Sequence, residues 1–245
     1  MIKFFRRIRK QLLTENKFSK YILYAIGEIM LVTIGILIAL QINNWKEDRM
    51  RENLKIEYLT SLKRDLTFDI AQLNQNLSHI ENDLEKNISF STRLSSQNAT
   101  KDTLVKIARY EFNPVVSGSK ELNQNTYNSL ISTGNIELLG KELTEKIQEH
   151  YALQANITFY VKTNFQSYID GVNQYTMHYP INIKLNAING IMQDSFWEGV
   201  DHRDLQSRFN SILTGRIFMF NNEKFQIIIL LEKTEELLDL LTQHL

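Results

Sequence analysis

The chain of 245 residues contains no cysteine. Disulfides, thiolate chemistry, cysteine-ligated zinc and a cysteine-anchored lipoprotein are therefore excluded. Proline is nearly absent, with 2 residues, and glycine is sparse, with 9. So little turn punctuation argues against a strand-rich sandwich or barrel. Net charge is absent as well: 28 basic residues balance 28 acidic ones. Bulk charge thus excludes a nucleic-acid binder of the overall basic kind, and no nucleic-acid partner is expected. At 43% hydrophobic and 10% aromatic, the composition is that of a folded chain.

The zero net charge hides a segregation. Residues 1–20 carry seven basic side chains, Lys3, Arg6, Arg7, Arg9, Lys10, Lys17 and Lys20, against Glu15 alone. That is +6, which leaves −6 on the other 225 residues. A basic leader before an apolar run is the mark of a membrane-targeting element. The run occupies 21–42, YILYAIGEIMLVTIGILIALQI. As a helix it would reach about 33 Å, against about 30 Å for a hydrocarbon core. Trp45 suits the far interface as an anchor. The basic flank is expected to stay cytoplasmic, which puts 43–245 across the inner membrane, in the periplasm.

Two other readings compete. A cleaved signal peptide would need a small-x-small site, and Ala39-Leu40-Gln41 matches it poorly. A buried core helix would be excessive, since 29–42 holds only Thr33 and Gln41 as polar side chains. An uncleaved signal anchor is favoured.

Glu28 is the ionisable residue inside the run. A carboxylate at mid-bilayer costs about 2.5–3.5 kcal/mol, less near the headgroups. It is read either as a proton- or partner-binding site or as a near-interface residue close to Lys17 and Lys20. Glu28, Val32, Gly35 and Ala39 fall on one helix face. Gly35 and Ala39 form a small-xxx-small pair that permits close approach. This face is expected to contact a second transmembrane helix, from another copy of the chain or from a membrane-protein partner.

Beyond the span, 43–94 reads as one long stalk helix without Gly or Pro. Leu59, Leu62, Leu66, Ile70, Leu73, Leu77, Ile80, Leu84 and Ile88 recur at about 3.6 residues, a broad apolar face rather than a 3.5 seam. A polar break at Ser95–Thr100 precedes a short helix over 102–110, capped by Thr100 or Asp102. Asn113-Pro114 and Gly118 mark a loop. Helices follow over 121–132, with Gly134 as C-cap candidate, and over 141–178, stopped before Pro180. The stretch 180–201 is the least regular. A last helical region covers 204–241, as one helix or as two meeting near Asn221-Asn222. The fold class is all-α: a transmembrane signal-anchor helix continuing into an elongated helical bundle.

Chemistry is sparse. His79, His150, His178, His202 and His244 are scattered, without the i, i+4 pair of a zinc motif. His79 with Asp83, and Glu145 with Glu149, share helix faces that read as solvated surface. Nucleophile elbows, P-loops and dinucleotide fingerprints do not occur. No catalytic, cofactor-binding or metal-ligating residue is assigned, no cofactor is expected, and the chain is not read as an enzyme. Phe159, Tyr160, Phe165, Tyr168, Tyr175 and Tyr179 form an aromatic cluster. It is read mainly as bundle packing, alternatively as a ligand pocket with Trp197 as lid.

Several stretches together resemble a known group: MIKFFRRIRKQLL at the start, YAIGEIMLVTIGILIALQINNWKEDR across the span, EYLTSLKRDL after it, then NSLISTGNIELL and EHY. They are similar to an uncharacterised family of flavobacterial membrane proteins, domain of unknown function 6090. The resemblance implies a single-pass membrane protein and brings no established activity, cofactor or catalytic residue. The leading expectation is a structural or interaction module of the cell envelope, embedded in the lipid bilayer. The alternative is a small-molecule-binding sensory bundle lacking its own output domain.

Overall fold

The computed structural model describes residues 18–245 except 117, 119, 184 and 185, with side chains from Ile22 onward. The basic residues of 1–20 lie outside the described side chains. Among the described residues the fold is all-α, with no strand. Helix α1 spans Phe18–Leu94, 77 residues without a break, so no turn separates the apolar span from the stalk. The chain divides within it into two compact units, Met1–Ile56 and Glu57–Leu245.

Among the described residues of the first unit the large apolar side chains are mostly exposed. Leu23 is 76% exposed, Leu31 69% and Leu37 58%. By length and composition this is the one helix among the described residues suited to crossing a membrane, and none of its apolar window is buried.

The second unit is a bundle of α1 from Glu57 onward, α4 (Lys141–Thr176) and α6 (His202–Gln243). Shorter elements pack on it: α2 (Lys101–Lys106, extended by a π turn Ile107–Glu111), α3 (Asn125–Thr133, followed by a 3-10 turn) and α5 (Ile191–Glu198). Leu59, Leu62 and Leu66 of α1 close with Leu143 and Ile147 of α4 and with Leu237 and Leu241 of α6. Further along, Leu73, Ile80 and Leu84 close with Ile157, Val172, Phe209 and Leu230. Helix α4 thus runs parallel to α1, and α6 antiparallel to both.

The buried stripe of α1 differs from the sequence expectation. It runs Leu59, Leu62, Leu66, Asp69, Leu73, the half-buried Leu77, Ile80, Leu84, Asn87, with Gln72 buried beside Leu73. Its steps of three and four are those of a 3.5 seam. Asp69 and Asn87 take positions expected for Ile70 and Ile88, and Ile88 is left 49% exposed. Both polar side chains find hydrogen bonds inside, which lets the tighter spacing win.

Local signals explain most boundaries. Thr100, not Asp102, caps α2: its hydroxyl accepts from Thr103 N at 3.3 Å, while the Thr103 hydroxyl accepts from Thr100 N at 3.2 Å. Helix α3 starts at Asn125 rather than 121; before it, the Asp69 carboxylate accepts from both Asn123 N and Nδ2 and ties that segment to α1. Gly134 ends α3 at φ 72°, the left-handed position where a Cβ is unfavourable. Asp201 accepts from Arg203 N at 2.8 Å and starts α6, which then continues through Asn221-Asn222 as one helix.

His150 lies on α4, 5% exposed, and burial lowers its pKa to about 4. The unfolded chain protonates this ring below about pH 6.5, whereas the folded one does not until about pH 4. Stability is therefore lost as pH falls through that window. Asp69 acts in the opposite sense, since burial raises its carboxyl above the ordinary value. Urea denaturation is expected to give a stability lower by about 2 kcal/mol at about pH 5 than at about pH 7.5. His150→Leu should flatten this difference.

Candidate functional site

Two regions carry the side chains with functional content. The first is the apolar part of α1. Gly35 and Ala39 are exposed, and a Cβ built on Gly35 would meet nothing within 4 Å. Val32 is 54% exposed on the same face, and Glu28 is half-buried along the helix. Trp45, expected at the interface, is exposed with the Arg49 guanidinium 5.8 Å from its ring centroid. Thr33 returns its hydroxyl to Ile29 O at 2.8 Å, so this polar group costs little in an apolar setting. Glu28, Val32, Gly35 and Ala39 share one side of the helix.

The second region is a cavity of about 500 Å³ in the bundle, between α1, the segment after α2 and α6. This size suits a small molecule. Arg216 of α6 forms its charged wall. The residue is 6% exposed and its guanidinium lies 5.5 Å from the ring centroids of both Phe112 and Phe220. Nη1 donates to the carbonyl of Asn113. Nη2 stands 4.0 Å from Asp83 Oδ1, the outer limit of an ion pair, and Nε has no hydrogen-bond partner. Beside it Asn87, 2% exposed, donates to Asp83 O at 2.6 Å, while its Oδ1 is buried without a partner. Glu111, at the edge, is committed to a two-pronged pair with Arg93, which holds its carboxyl below the ordinary range. Tyr168 donates to Pro114 O at 2.8 Å and fixes the same segment from α4; burial pushes its phenol up to about 12.

A neighbouring apolar cavity of about 250 Å³, lined by Leu73, Val161, Phe165 and Met219, shares Asn76, Phe220 and Glu223 with the first. Together they join a polar chamber to an apolar one.

Residues 28–195 match a family of unknown function, DUF6090. The chain belongs to this family. No curated protein and no solved structure matches it. The matched stretch begins at Glu28 and takes in the helix face and the α1 side of the cavity. Arg216, Phe220 and Glu223 lie beyond it.

The aromatic cluster divides. Tyr168, Tyr175, Tyr179 and Trp197 are core, with Tyr179 and Trp197 ring centroids 6.2 Å apart, whereas Phe159 is 74% exposed. Trp197 is a packed core residue, not a lid. His79 is exposed and Asp83 37% exposed, as a solvated face requires, and both also line the cavity. Arg216 was not singled out from the sequence. Its signal was available: a lone cation set between Ile212, Leu213, Met219 and Phe220 on the apolar face of a helix.

A polar layer beside the lower core pins the chain before α3. Asp69, 2% exposed, accepts from Asn123 N at 3.0 Å and from its Nδ2 at 2.8 Å. Thr126 donates to Asp65 at 2.5 Å. Removing the Asp69 acceptor strands a buried N–H. Asp69→Ala is expected to destabilise the bundle by about 1–3 kcal/mol in chemical denaturation, with faster amide exchange over 121–125.

Proposed function

We propose that this member of DUF6090 is a membrane-anchored extracytoplasmic helical module, a structural or interaction component of the cell envelope. In this reading 21–42 crosses the inner membrane once, with the basic leader in the cytoplasm and the bundle in the periplasm. The observation that carries it is the run of large apolar side chains between Ile22 and Ile42 that stand exposed, with none of the apolar window buried. Water would oppose such exposure by about 25 cal/mol per Å², and a bilayer relieves it. The +6 leader against the −6 remainder supports the orientation.

Within the membrane, the face of Glu28, Val32, Gly35 and Ala39 packs on a second transmembrane helix, from another copy or from a different membrane protein. Gly35 and Ala39 let backbones approach, and Glu28 presents a carboxylate on the same face. The chain is a binding protein rather than an enzyme.

A second reading is favoured by one observation, the buried and loosely paired Arg216 in the bundle cavity. It makes the bundle a small-molecule receptor that signals through its anchor or partner.

The absence of cysteine makes the test direct, because each introduced cysteine is unique. Single cysteines at 28, 32, 35 and 39 should form crosslinks in native membranes, to a second copy or to another protein. Cysteines at 30, 34 and 37 should crosslink weakly. Equal crosslinking around the helix, or none on any face, would contradict the contact face. Labelling of a cysteine at 200 by an impermeant reagent in intact cells, and not of one at 10, is expected from the orientation.

A further inference from the structure

We propose that the Arg216 cavity binds a small zwitterion of the α-amino-acid type. The inference rests on the receptor reading of the bundle and not on the membrane contact face.

A guanidinium matches a carboxylate through two adjacent N–H groups. In Arg216 the Nη1 side is spent on the Asn113 carbonyl. The Nε–Nη2 edge is not: Nε is unpartnered, and Asp83 stands off at 4.0 Å. This cation is 6% exposed; the Phe112 and Phe220 rings, the Tyr168 hydroxyl and a carbonyl surround it, but its one counter-charge in the ion-pair range, Asp83, stands at the outer limit. A carboxylate docked at the Nη2 end supplies the close counter-charge that Asp83 does not.

A simple anion would meet Asp83 immediately beside it. The same carboxylate that repels an anion attracts an ammonium group, and Asn87 Oδ1 adds a buried acceptor without a donor. Carboxylate and ammonium on neighbouring atoms of one ligand reproduce, with opposite signs, the Arg216–Asp83 pairing. Both charges of the ligand are then matched, and both protein groups gain partners that they now reach poorly. Lys86 at the rim offers a further positive charge, while Phe90 and Phe220 offer apolar walls for the side chain. The apolar chamber beyond Phe220 extends room for a larger one.

The test uses the full chain in nanodiscs, with calorimetric titration of each of the common amino acids. Matched controls are the N-acetyl form, which lacks the ammonium, the carboxamide form, which lacks the carboxylate, and acetate. At least one free amino acid is expected to bind, and each blocked form to bind at least about tenfold more weakly. Asp83→Asn, on a side chain 37% exposed, should fold and lose about tenfold in affinity. Arg216→Lys should lose more, and circular dichroism would verify its fold.

Binding of the N-acetyl form or of acetate as tightly as the free amino acid would overturn the proposal in favour of a plain anion site. Unchanged affinity in folded Asp83→Asn would also overturn it, as would no heat with any amino acid at millimolar concentration. None of these results bears on the crosslinking pattern of the anchor, so the two readings fail separately.

Discussion

Burial of one stripe of α1 against α4 and α6 is the constraint on which the rest of the bundle depends. The stripe advances by three and four residues and is apolar at most positions. Where it is polar, the chain gains a specific attachment. Asp69 fastens the segment before α3, and Asn87 lines the cavity floor beside Asp83. Apolar burial supplies the free energy, and the polar insertions fix which segment lies where.

The same helix carries apolar surface of a second kind. From Ile22 to Ile42 the side chains are as hydrophobic as those of the stripe, yet they surround the helix instead of lining one face. A face can be buried by a bundle, but a full circumference needs a solvent of its own kind. Pattern, more than total hydrophobicity, separates the exposed apolar segment from the core segment. The cavity is the remaining departure from apolar packing. It brings Arg216 of α6 against Asp83 and Asn87 of α1, residues more than a hundred positions apart, and leaves their charges loosely matched.

The fold class, the apolar span, the long helices and the glycine stop at Gly134 were legible in the sequence, because each rests on local chemistry or on a period repeated many times. The start of α3 was not. Before it, Asp69 reaches Asn123 across 54 residues of chain, and no local pattern encodes that bond. The spacing of the α1 stripe was read as 3.6 because Ile70 and Ile88 outweigh Asp69 and Asn87 on any hydrophobicity scale. The cavity escaped for a related reason. His79 and Asp83 look like surface on their own helix, and only the arrival of Arg216 makes them a wall.

The central claim is that 21–42 lies in lipid while the bundle stands in water. Spin labels placed singly along α1 in nanodiscs measure this by their accessibility to oxygen and to a polar relaxant. The account predicts high oxygen and low polar accessibility at Ile34 and Leu37, and the reverse at Met50 and Asn53. Polar accessibility at Ile34 and Leu37 equal to that at Met50 would contradict it.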